Sequence, residues 1–130
     1  MKLETINSVT GKWQEMTNIV LDLKRFSLED VQSLLKDTYT ILTTYHKEQL
    51  VPKEISKLIL EMNEFLYFIT IMDNEDLCID LNLYQYISSI TDALKRGFFK
   101  GEYEYDFPKL KILDSKKNEI IIDFGTNIFS

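Results

Sequence analysis

Apolar residues recur at alternating spacings of three and four along most of the chain, which is the pattern of amphipathic helices. Four stripes of this kind follow one another. Their members are Ile6, Val9, Trp13, Met16, Val20 and Leu23; Val31, Leu34, Leu35, Leu42 and Tyr45; Ile55, Leu58, Ile59, Met62, Leu66, Ile69 and Met72; and Leu77, Leu81, Tyr84, Ile87, Ile90 and Leu94. The pattern predicts four helices over about residues 3–97. Residues 65–68 are apolar nearly all round, so the third helix should be the most buried.

Capping residues mark where these helices begin and end. Ser27 precedes an acidic first turn and predicts the start of the second helix, and Pro52 opens the third. Gly97 is predicted to end the fourth helix as the residue just past its last turn. The start of the fourth helix has two interpretations, because apolar residues alternate in a strand-like way over 77–83. Asn82 could instead cap a shorter helix.

Past Gly97 the apolar period changes to two, which is typical of strands with one buried face. Two apolar runs, 109–113 and 119–124, flank a polar segment and predict a hairpin over 109–124. In one possible register, the residue numbers of each facing pair add up to 232, as for Leu110 and Ile122. This register gathers the apolar side chains of both strands on one face. A shift by one residue would scatter them, so this register is the predicted one.

Together these patterns predict an α+β fold, with about four packed helices followed by a small C-terminal antiparallel sheet that contains the hairpin. A length of 130 residues is ordinary for one domain. We therefore expect one globular domain over 1–130, with a helical body over about 3–97 and a β region over about 98–124. The first stripe also fits a heptad seam, which leaves a homodimer through the first helix as an alternative to packing within the chain.

Charged residues are unevenly distributed along the sequence, and this bears on the kind of partner to expect. The chain carries a net charge of −6, and residues 73–106 hold eight acids against three bases. Nucleic-acid-binding proteins usually show a basic patch, so no nucleic-acid partner is expected. The acidic segment instead predicts a partner protein with a basic surface. The longest nearly apolar run, 65–72, is far shorter than the about twenty residues that cross a bilayer, and no secretion leader follows Met1. We expect a cytoplasmic protein that makes no membrane contact.

Few residues could carry catalytic or metal chemistry. His46 and Cys78 are single examples of their types, so one chain cannot assemble a zinc site from nitrogen and sulfur ligands. The acids of 73–80 resemble a calcium loop but lack its glycine and its final glutamate, and helix capping explains them better. No metal, cofactor or catalytic residue is predicted, and enzyme activity is not expected.

The candidate partner-binding residues lie where acids and aromatics alternate, at Glu102, Tyr103, Glu104, Tyr105 and Asp106. Tyrosines are enriched at protein interfaces, and acids beside them select a basic partner. A half-buried strand would produce the same alternation and is favoured for the aromatics, although the acids are exposed under either interpretation. The leading hypothesis is a non-enzymatic protein-binding domain, such as a bacterial immunity or inhibitor protein that neutralises a basic toxin. The alternatives are a structural or homodimeric domain, and a small-molecule-binding protein or enzyme with an unrecognised pocket.

Overall fold

Four helices dominate the structure. The computed structural model describes residues 1–22, 28–71, 81–101, 110–113 and 119–122. The helices within these ranges are α1 (Leu3–Leu21), α2 (Leu28–Tyr45), α3 (Lys53–Ile71) and α4 (Leu81–Lys100). Each helix coincides with one of the predicted stripes, so the prediction of four helices is confirmed.

The helices pack as a bundle in which each has two close neighbours. The most extensive packing is between α1 and α3, and α2 contacts both α1 and α4, while α3 also contacts α4. The helices therefore follow the order α1, α2, α4, α3 around the bundle. The hydroxyl of Tyr45 lies 3.4 Å from the carbonyl oxygen of Met1, which brings the end of α2 to the start of α1. These two helices are consequently antiparallel.

The core consists of the apolar stripes. All the described members of the α1 stripe are buried, and Trp13 at its centre has no exposed surface. The heptad seam of this helix therefore faces the inside of the bundle, mainly against α3. The apolar run 65–68, from which the third helix was predicted to be the most buried, is not buried on all sides, because Phe65 is buried whereas Tyr67 is 61% exposed. A helix on the outside of a bundle of this size always keeps one face in water.

Trp13 joins three helices at the centre of the core. Its indole Nε1–H donates a hydrogen bond of 3.0 Å to the hydroxyl of Thr38 on α2. The ring of Phe65 on α3 packs against it at a centroid distance of 5.4 Å. Thr38 is itself fully buried and donates to the carbonyl oxygen of Leu34 at 2.8 Å. Each buried polar group of this cluster thus has a partner, as burial in an apolar core requires.

The fourth helix ends later than predicted. It passes through Gly97 and continues to Lys100. Gly101 then adopts a left-handed conformation with φ of 71°, and its N–H donates to the carbonyl oxygen of Gly97 at 3.1 Å. This is the αL capping motif, which a residue without a Cβ adopts at the least cost. Gly101 is therefore the capping residue, and 98–100 belong to the helix and not to the predicted β region.

The predicted α+β class is wrong, because the described fold is a helical bundle with no sheet layer in its core. Beyond α4 the described residues contain a two-stranded ribbon, β1 (Leu110–Leu113) and β2 (Glu119–Ile122), which contacts α4 through β1. Leu110 pairs with Ile122 in the register predicted from parity. Two short strands are too few to form a stable sheet by themselves, and this ribbon therefore does not add a sheet layer to the helical bundle. The predicted strand over 102–107 and the hairpin loop lie outside the described residues.

Candidate partner-binding groove

The residues predicted to bind a partner, Glu102, Tyr103, Glu104, Tyr105 and Asp106, lie outside the described residues. The acidic segment 73–80, which includes Cys78, lies outside them as well. The described part of the chain nevertheless contains a concave acidic surface that the sequence analysis did not single out.

This surface is a groove between the antiparallel helices α1 and α2. It consists of two hollows open to solvent, with volumes of about 220 Å³ and about 430 Å³. Lys12 and Asp37 line both hollows, so the two hollows adjoin each other. A water molecule occupies about 30 Å³ in the liquid, and each hollow therefore has room for a side chain of a partner. We call this feature the α1/α2 groove.

Helical periodicity explains why these side chains share one face. The α1 residues at the groove are 4, 5, 8, 12 and 15, and the α2 residues are 30, 33, 37 and 40. Residues three and four apart lie above one another on a helix. Because α1 and α2 pack against each other, the two rows lie side by side along the groove. Four of these nine residues are serines and threonines, and the other five are charged.

Carboxylates dominate the charge of the groove. Glu4, Glu15, Asp30 and Asp37 line it together with one lysine side chain, Lys12. Among the described residues, the side chains of Glu15, Asp37 and Lys12 have no hydrogen-bond or ion-pair partner. Four acidic side chains against one basic side chain give the lining of the groove an excess of negative charge.

The floor of the groove is apolar but almost fully covered. It is formed by Val9 and Ile41 in the larger hollow and by Met16 and Leu34 in the smaller one. Each of these side chains is at most 5% exposed, because all four belong to the core. A ligand would gain little from apolar burial there, so its recognition would rest on complementary charge.

His46 has a structural contact at the end of α2. Its Nδ1 lies 2.6 Å from the carbonyl oxygen of Thr43, to which it donates. Carbonyl oxygens in the last turn of a helix lack partners within the helix, and a histidine there satisfies one of them. In the described part of the chain no group of three or more His, Cys, Asp and Glu side chains could hold a metal ion.

Comparison of the chain with models of protein families, with curated proteins and with solved structures gives no match. Among the described helices, none is both long and apolar enough to cross a membrane.

Proposed function

We propose that this chain is a non-enzymatic, cytoplasmic protein-binding domain that captures a partner with a basic surface. The observation that carries the proposal is the α1/α2 groove, which is lined by four carboxylates and one lysine side chain. Neutralisation of a bacterial toxin by such a domain, as an immunity or inhibitor protein, is the most concrete form of this function.

The distribution of charge over the whole chain supports the same function. The net charge is −6, and the sequence places most of the excess in residues 73–106. An acidic surface attracts a basic protein over a distance of about one Debye length, about 8 Å at physiological ionic strength, and raises its association rate. Both the groove and the acidic sequence at 102–106 contribute negative charge to the chain.

The alternative of a homodimer through the first helix receives no support from the fold. The apolar stripe of α1 is buried against the rest of the bundle. A second copy could pair with this stripe only after the bundle had opened, which would expose the centre of the core. The groove lies on the polar edge of α1, which is compatible with the folded bundle.

Site-specific photo-cross-linking in the native cell tests the proposal. A photoreactive amino acid at Ser33, in the groove, should yield an adduct with a basic protein, whereas the same residue at Ser56, which is exposed on α3, should not. Mass spectrometry of the adduct identifies the partner. An adduct that forms from Ser56 and not from Ser33 would place the interface elsewhere.

The affinity for the captured partner provides the quantitative test. The variant E15Q/D37N removes two groove charges, and E48Q/E64Q removes two exposed charges outside the groove and serves as the control. Exposed ion pairs contribute about 0.2–1 kcal/mol each, so the groove variant should bind about 2- to 30-fold more weakly. Equal dissociation constants for the two variants would contradict the proposal.

A further inference from the structure

We propose that the outward face of α3 binds a second copy of this chain, so that two α3 helices pair antiparallel about a two-fold axis beside Leu60. No residue of α3 lines the α1/α2 groove, and the inference is therefore independent of the proposed function. It follows from the fixed rotation of α3 in the bundle, from exposed apolar side chains on its outward face, and from charges that complement one another across a two-fold axis.

Two hydrogen bonds to neighbouring helices fix the rotation of α3. On one side, Glu61 accepts a bond of 3.0 Å from the side-chain amide of Gln14 on α1. On the other side, Asn63 accepts a bond of 3.1 Å from the ammonium group of Lys95 on α4. At 3.6 residues per turn, positions 61 and 63 point about 160° apart. The core residues of α3 lie on one side of this divide, and its other side is held towards solvent.

The outward face of α3 carries a row of exposed residues at alternating spacings of four and three. They are Lys53, Lys57, Leu60, Glu64 and Tyr67, and they fall within an arc of about 80° on the helix. Leu60 is 55% exposed and Tyr67 is 61% exposed, two turns apart. Tyrosine is enriched at protein interfaces, and an apolar side chain at the centre of such a row gives a partner helix a surface to cover.

The charges of this row complement themselves around Leu60. Lys57 stands three positions before Leu60 and Glu64 four positions after it, which is about 4.5 Å and about 6 Å along the helix. An antiparallel pair with its axis beside Leu60 therefore brings Lys57 of each copy to the level of Glu64 of the other. Lys53 and Tyr67 each stand seven positions from Leu60 and meet in the same way, and an ammonium group is attracted to an aromatic face.

The charges also select the antiparallel direction. A parallel pair would set Lys57 against Lys57 and Glu64 against Glu64, which is repulsive. Within the described part of the chain, neither of these side chains forms an ion pair, so both can pair with a second copy. Glu29 and Lys36 repeat the seven-residue spacing on α2, but no exposed apolar residue stands between them. The face of α3 thus combines both features that an isologous contact needs, self-complementary charge and an apolar centre.

Sedimentation equilibrium at 0.15 M salt tests the inference through a charge swap. Contacts smaller than a standard interface are weak, so we expect dimers with a dissociation constant of about 0.1 mM. K57E and E64K each replace two attractive pairs by two repulsive ones and should weaken dimerisation at least about four-fold. The double variant K57E/E64K re-forms both pairs in reverse and should dimerise within about two-fold of the unmodified chain.

Two variants on α2 control for the change in net charge. K36E and E29K alter the charge of the chain by the same amounts as K57E and E64K, at exposed positions of another helix. They should leave dimerisation within about two-fold of the unmodified chain. Circular dichroism should show the same helical content for all variants, since every substitution lies on an exposed helix face.

The outcomes are distinct from those of the proposed function. A chain that stays monomeric at about 1 mM, ten times the expected dissociation constant, overturns the inference and leaves capture of a basic partner untouched. Equal weakening by K57E and K36E would also overturn it, and failure of the double variant to recover would contradict the antiparallel pairing. A photo-adduct from Ser56 to a second copy contains only this acidic chain, so mass spectrometry distinguishes it from an adduct with a basic protein.

Discussion

The hydrogen bond between Trp13 and Thr38 gives the sharpest prediction about stability. Both side chains are fully buried, and the indole Nε1–H donates to the Thr38 hydroxyl at 3.0 Å. The substitution T38V preserves shape and β-branching but removes the acceptor. It leaves a buried N–H without a partner, which costs about 1–3 kcal/mol. The added apolar methyl group offsets part of this, so we expect a net loss of about 1–2 kcal/mol.

A second threonine on the same helix provides the matched control. Thr44 is exposed and its hydroxyl donates to the carbonyl oxygen of Thr40 at 2.8 Å, just as Thr38 donates to that of Leu34. T44V therefore loses the same local bond but no contact with Trp13, and its stability should change by less than about 0.5 kcal/mol. Comparison of the two variants isolates the bond between the helices.

Urea denaturation measures the free energy of unfolding of both variants. Circular dichroism follows the helices, and fluorescence follows Trp13, the single tryptophan of the chain. The expected loss for T38V corresponds to a fall in Tm of about 3–10 °C. In a W13F background T38V should have much less effect, because the donor is gone. Equal free energies of unfolding for T38V and T44V, or an unchanged effect of T38V in W13F, would refute the packing described for Trp13.

Further predictions concern the core and the glycines. F65A should destabilise the bundle by about 3–5 kcal/mol, because it opens a cavity against Trp13, whereas Y67A, at an exposed position, should cost less than about 1 kcal/mol; urea denaturation distinguishes them. G11A should stabilise the chain by about 0.5–1 kcal/mol, since Gly11 lies inside α1 and an added Cβ meets nothing within 4 Å. G101A should destabilise it by about 1 kcal/mol, because Gly101 has a left-handed φ. A Tm that moves in the same direction for both glycine variants would contradict these backbone assignments.

The helices were predictable from sequence because each buries one apolar stripe. Ile6, Val9 and Met16 are buried as their spacing predicts. The buried threonines were not predictable, because hydrophobicity alone assigns Thr38 to the surface. Its hydroxyl is satisfied by a carbonyl of its own helix and by Trp13 of another, and only the second contact requires knowledge of the fold.

The fold class was mispredicted because a correct local pattern was given too much weight. The strands over 110–113 and 119–122 do pair in the predicted register, yet two strands of four residues are too small to form a layer. The end of α4 was misplaced for a similar reason. Two glycines stand four positions apart, at 97 and 101, and the sequence does not show which of them takes the left-handed conformation.

The groove was missed because its charges cancel along the sequence. Residues 1–45 contain six acids and five bases, a net charge of only −1, and so appear unremarkable beside 73–106. Helix packing selects which of these charges share a face, and it places Glu4, Glu15, Asp30 and Asp37 along one groove with Lys12. The acidic alternation at 102–106 stays a prediction from sequence.

An NMR titration locates the binding surface most directly. Addition of an arginine-rich peptide to the isotopically labelled chain should shift the backbone amide signals of residues 4–16 on α1 and 30–40 on α2, and the shifts should weaken as salt is added. The exposed face of α3, around Leu60 and Glu64, should remain unaffected. Shifts confined to α3, or to residues 102–106, would contradict the assignment of partner binding to the α1/α2 groove.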